Sequence, residues 1–131
     1  MEELSMEEQK ILYSMFYKAQ DRFAAPTTSA GFEPDVIQEY IHCGITLASY
    51  YEKHAENENI LLCELFLRQI FLHLIEAIES PQRSMIFRRV CLDSIYSPLY
   101  CLKRHYCQQV EGNARYQSLH RKLQQVQAPL G

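Results

Sequence analysis

The sequence predicts an all-α protein: one single-domain bundle of five to six helices around a hydrophobic central helix at about residues 58–79. Three observations predict it. Apolar residues recur at three- and four-residue steps along most of the chain. No sustained run alternates apolar and polar residues as a half-buried strand does. Only four glycines occur in 131 residues, too few for the tight turns of an all-β meander. A hydrophobic fraction of 47% with 22% charged residues is a globular balance. A chain of this length buries enough surface to fold without disulfide or metal staples, and its size fits one domain over residues 1–131.

The first helix is expected to begin near Ser5. Ser5-Met6-Glu7-Glu8 reads as a capping box, with the serine capping and Glu8 reaching back. Ile11, Leu12, Met15, Phe16, Ala19 and Phe23 then follow at helical spacing, and Pro26 ends the run. Residues 25–33, rich in small, polar and breaker types, read as a flexible loop. Pro34 suits the first turn of a second helix, with Phe32 and Ile37 placed for a hydrophobic staple. Val36, Ile37, Tyr40, Ile41, Ile45, Leu47, Ala48 and Tyr51 carry this helix onward. Gly44 in its middle lowers helix propensity by about 1 kcal/mol, which predicts close approach of another helix.

Asn57 or Asn59 is the expected cap of the central helix. At 100° per residue, Phe66, Leu67, Ile70, Phe71, Leu74, Ile75, Ala77 and Ile78 share one broad arc, opposite Glu64, Arg68, Gln69, His73, Glu76 and Glu79. Leu61, Leu62, Leu65 and Leu72 intrude on the polar side, so this helix is expected to be contacted from several directions and partly wetted. Its length approaches the roughly 20 residues of a membrane span. The charged and polar side chains would each cost about 2 kcal/mol or more at membrane depth, which excludes a span.

Ser80-Pro81 is read as cap and first residue of the fourth helix, carried by Met85, Ile86, Phe87, Val90, Cys91, Leu92 and Ile95. Ser97-Pro98 marks either a second break or a kink. Leu99, Leu102, Tyr106 and Val110 continue to Gly112-Asn113, read as a stop and restart. Tyr116, Leu119, Leu123 and Val126 form a last narrow stripe, and residues 127–131 are expected to fray. A hydrophobic helix wrapped by amphipathic ones is similar in architecture to apoptosis-regulator bundles of the Bcl-2 type. Their N-W-G-R signature is absent, and the chain has no tryptophan. The likeness is therefore architectural, and no family is recognised.

Charge is unevenly distributed. Residues 1–80 carry 14 acidic and 5 basic side chains, and residues 81–131 carry 2 and 8. Such a split serves internal attraction between halves, an acidic protein partner, or nucleic acid. The five cysteines form no C-x-x-C pair, the opening MEELSMEEQK has no apolar leader segment, and no N-x-[ST] sequon occurs. Free, mostly buried thiols in a reducing compartment, cytosol or nucleus, are expected.

Catalytic motifs are missing: no G-x-S-x-G, Gly-rich phosphate loop or H-E-x-x-H is present. His73 with Glu76, and Cys101 with His105 and Cys107, lack the partners that a metal site needs. No cofactor and no metal are expected. Cys101 is expected buried and His105 exposed. The remaining signal is arginine and lysine interleaved with tyrosine in the C-terminal half, the residue mix of protein-interface hot spots. The expected contact residues are Arg88, Arg89, Lys103 and Arg104, which steer and pair, and Tyr100 and Tyr106, which anchor. The expected function is a non-catalytic adaptor or small complex subunit binding an acidic or amphipathic helical segment. The alternatives are a nucleic-acid module on the same surface and a homo-oligomer joining acidic front to basic back.

Overall fold

The computed structural model describes residues 2–25 and 34–127, all helical apart from short connections. Six helical segments follow in order: α1 (Glu2–Ala24), α2 (Pro34–Tyr50), α3 (Ile60–Glu79), α4 (Met85–Ser94), α5 (Tyr96–Tyr106) and α6 (Gly112–Gln127). The all-α bundle is as expected, and α3 is its central helix. None of the described helices is long and apolar enough to cross a membrane.

The helix ends correct the sequence reading in several places. Ser5 lies inside α1, because Glu2, Glu3 and Leu4 already have helical backbone. Ser80 is the C-cap of α3, not the N-cap of α4. Ser84 caps α4 instead, accepting the Phe87 amide at 3.1 Å. The α4–α5 break falls at Ile95, ahead of Ser97-Pro98. The Pro98 ring would meet the carbonyl of residue i−4, which is Ser94, the last residue of α4. Asn59 caps α3 by accepting the Leu62 amide at 3.2 Å. Apart from Ala25 and Gln127, which still ends α6, the expected loop at 25–33 and the expected tail at 127–131 lie outside the described residues, as does the Phe32 half of the staple.

α1 and α2 are antiparallel: Gln9 reaches Tyr51 at one end, and Arg22 pairs with Glu39 at the other. α2 and α3 are antiparallel as well, with Tyr51 stacked near Phe66 and Tyr40 bonded to His73. Gly44 is buried at this crossing, where a Cβ would collide with the Ile70 side chain and approach Phe16. The close approach expected from Gly44 is therefore present. The α4–α5 run lies along α3, with Arg88 near Ile78 and Tyr106 near Glu64, and it also meets α2, where Gln38 donates to Ser94 at 2.9 Å. α6 closes the bundle against α5 and α3 through Leu119, Leu123 and Val126, all buried.

Ile70, Phe71 and Leu74 of α3 are fully buried in one continuous core. Leu61 and Leu65 are exposed by 78% and 54%. The central helix is thus contacted from several sides and wetted along one stripe, as its sequence predicted.

Candidate interaction face

α4 and α5 act almost as one rod. Ile95 between them keeps right-handed helical angles, φ −66° and ψ −20°. Helical spacing along that rod places Met85, Arg89, Tyr96, Tyr100, Lys103 and Cys107 on one exposed side. Ile86 adjoins them. Met85 is 59% exposed, Ile86 63%, Tyr96 48% and Tyr100 64%. These are large apolar and aromatic groups left in water on one helix face, with basic side chains among them. Asp93 is the one acidic residue of this side chain row.

Of the six residues expected at a partner surface, four lie on or beside this face: Arg89, Tyr100, Lys103 and Arg104. Lys103 places its ammonium 5.9 Å from the Tyr116 ring centroid, a cation–π distance. Arg104 sits at the edge and pairs with Glu52 at 3.7 Å. Such an exposed pair contributes under about 1 kcal/mol and exchanges readily with another carboxylate.

Arg88 and Tyr106 correct the reading. Arg88 is half-buried, and its Nε donates to the Ile78 carbonyl at 2.7 Å, closing the C-terminal end of α3. Tyr106 is only 1% exposed. Its hydroxyl donates to Glu64 at 2.8 Å and accepts from Arg68 at 3.2 Å. Tyr106 is closed off from the surface, and Arg88 is folded back against the backbone of α3. Met85, Ile86 and Tyr96 share this exposed face and were not among the expected contact residues. The signal that finds them is the same three- and four-residue step that links Arg89, Tyr100 and Lys103, carried back across Ile95.

The charge split pairs partly within the fold. Glu52 and Glu64 from the acidic front meet Arg104 and Arg115 from the basic back, at 3.7 and 3.3 Å. Arg83 donates to the carbonyls of Phe23 and Ala25 at 2.7 and 3.1 Å and lies 4.5 Å from the Phe87 ring centroid.

Among the described residues, no group of three or more His, Cys, Asp or Glu could hold a metal ion. Cys101 is half-buried and His105 buried, the reverse of the expected order. Both line a cavity of about 50 Å³. Burial raises the Cys101 thiol and lowers the His105 imidazole, so it disfavours the charged form of each. His73 is held by the Tyr40 hydroxyl at 2.5 Å, and Glu64 and Arg68 lie 4.0 Å apart on α3. No protein-family model matches the chain, and no curated protein or solved structure matches it either.

Proposed function

We propose that this chain is a non-catalytic interaction module, an adaptor or small subunit of a larger assembly. Its α4–α5 face takes an acidic amphipathic helix of a partner protein. The observation that carries this reading is the row of Met85, Ile86, Tyr96 and Tyr100, each about half exposed or more, beside Arg89 and Lys103. Tyrosines held on a helix lose little rotamer freedom on contact and bury large area, which makes them efficient anchors. Arg89 and Lys103 complement partner carboxylates, and such charges chiefly set encounter rate and specificity. The apolar row favours a helix with its own apolar stripe, packed ridges into grooves.

The internal use of basic residues favours a protein partner over nucleic acid. Arg83 and Arg88 bond backbone carbonyls, and Arg104 and Arg115 pair with carboxylates. Arginines held by carbonyls and carboxylates are poorly placed to track a phosphate backbone. The cysteines suit a reducing compartment, cytosol or nucleus: Cys43, Cys63 and Cys91 are buried free thiols.

The test is affinity purification of the tagged chain from nuclease-treated lysate at low and moderate salt. Wild type is compared with Tyr96→Ala/Tyr100→Ala and with Arg89→Glu/Lys103→Glu, each checked for native helicity. One or a few stoichiometric proteins retained by wild type and lost by both variants is the expected result. Full retention by both folded variants would remove the α4–α5 face from the reading. Recovery that depends on intact nucleic acid would replace the protein partner altogether.

A further inference from the structure

α1 and α3 run parallel. Tyr13 and Phe16 of α1 meet Phe66 early in α3, with ring centroids 5.7 and 5.5 Å apart. Farther along both helices, Gln20 and Phe23 share a cleft with His73 and Ala77. The two C-terminal ends therefore lie at the same end of the bundle. The last carbonyls of a helix have no donor within it, and its C-terminus carries a partial negative charge. The protein's own arginines use this already: Arg83 donates to Phe23 and Ala25 at the end of α1, and Arg88 to Ile78 at the end of α3.

Between these ends lies a cleft of about 540 Å³, within the range that holds a ligand group. Its walls include the carboxylates of Asp21 and Glu76, the amide of Gln20 and the imidazole of His73, over an apolar floor of Phe23 and Ala77. The imidazole is fixed from behind. Its Nδ1 is 2.5 Å from the hydroxyl of fully buried Tyr40, whose ring stacks on Phe16 and Phe23. Two carboxylates and two helix C-termini make the cleft favourable to a cation. Among the described residues, the guanidinium of Arg83 reaches it and is already bonded to carbonyls.

The same helix faces continue away from the cleft. Tyr17 precedes Gln20 and Asp21 by one turn, and Leu65 precedes His73 and Glu76 by eight and eleven residues. Tyr17 and Leu65 are exposed by 51% and 54%. From Leu65 to Glu76 the rise is about 16 Å, three turns of helix.

We propose that the α1–α3 furrow is a second docking surface, for a basic amphipathic helix that rests apolar side chains on Tyr17 and Leu65 and delivers an arginine or lysine between Asp21 and Glu76. The charge of the cleft selects the cation, and the apolar approach selects a helix over a free small molecule. This surface is separate from the α4–α5 face, so either one stands without the other.

The test uses a labelled helical peptide of 16 residues, with leucines one turn apart near one end and an arginine three turns on. Its match carries citrulline in place of arginine, which keeps shape and removes charge. Fluorescence anisotropy measures both against the full chain. The arginine peptide is expected to bind about tenfold more tightly than the citrulline peptide, as a charge-assisted hydrogen bond in a half-enclosed site provides. That advantage is expected to vanish in Asp21→Asn/Glu76→Gln, both surface changes. Leu65→Glu weakens both peptides, and Tyr96→Ala/Tyr100→Ala changes neither. Equal affinity for the two peptides, or binding of neither, overturns the proposal. N-acetyl-arginine amide binding as tightly as the peptide overturns the helical occupant. Loss of binding in Tyr96→Ala/Tyr100→Ala places the peptide on the other face and overturns it as well.

Discussion

The hydroxyl of Tyr106 donates to Oε2 of Glu64 at 2.8 Å, tying α5 to the central helix from inside the protein. Glu64 is a hub: Arg115 of α6 approaches its other oxygen at 3.3 Å, and His105 lies 3.9 Å away. Only 14% of its side chain is exposed, so its charge depends on these partners. Tyr106→Phe keeps the ring and removes the donor. The loss is expected to be about 1–2 kcal/mol of folding stability, as for a hydrogen bond to a charged, half-buried acceptor. Urea denaturation checks it, with a lower midpoint and an unchanged slope. An unchanged midpoint would mean that Arg115 and Arg68 satisfy Glu64 alone.

Gly44→Ala is expected to destabilise the protein although alanine is the better helix former. The new methyl would collide with Ile70, which is fully buried, and crowd Phe16 at 3.3 Å. Overpacking of this kind costs about 1–3 kcal/mol, more than the roughly 1 kcal/mol of propensity gained. Ile70→Val in the Gly44→Ala background is expected to recover part of the loss, which a double-mutant cycle measures. Additive effects would show that the two residues do not share the space.

Burial sorted in the sequence wherever the apolar period was broad. Ile70, Phe71 and Leu74 stand out as core, Leu61 and Leu65 as intruders on a polar side, and Gly44 as a contact point. The helix ends were less legible. Ser80-Pro81 and Ser84 offer equally good caps within five residues, and only packing of α4 against the end of α3 chooses between them. The candidate face was half legible for a related reason. A basic residue on an amphipathic helix looks the same whether it reaches solvent or folds back to a carbonyl, as Arg88 and Arg83 do. A tyrosine likewise looks the same with its hydroxyl in water, as at Tyr100, or on a buried carboxylate, as at Tyr106. The docking end of α1 and α3 was not legible, because it arises from two helices being parallel, which no local pattern encodes.

The thiols are expected to separate by reactivity. Cys107 is exposed, whereas burial pushes the Cys63 thiol up to about 11 and that of Cys91 up to about 12. Only the thiolate reacts with alkylating reagents. Native protein at pH 8 is expected to show one fast site, Cys107, with Cys63 and Cys91 labelled only through unfolding. Pulsed iodoacetamide labelling with peptide mass spectrometry assigns each site, and adding urea should release the slow group together. Fast labelling of Cys91 in native protein would place an opening near α4 that the packed core does not contain.

Acidification is expected to weaken the fold through His105. Its Nε2 lies 2.8 Å from the Gln109 amide nitrogen, which can only donate, so the ring nitrogen accepts and the imidazole is neutral. Burial lowers its pKa from the ordinary 6.5; Glu64 opposes that shift, and Arg115 adds to it. The unfolded chain thus takes up a proton near pH 6.5 that the folded chain refuses until lower pH. Between the folded and unfolded values the unfolded state holds more protons, so stability rises with pH across that window and falls on acidification through it. Urea midpoints for wild type are expected to drop from pH 7.5 toward pH 5.5, above the range where most carboxylates titrate, near about pH 4. His105→Leu removes the titrating group while Tyr106 and Arg115 still hold Glu64, so its midpoint is expected to change less over the same interval. A wild-type midpoint that rises on acidification would mean that Glu64 at 3.9 Å outweighs burial and that the folded protein prefers the imidazolium.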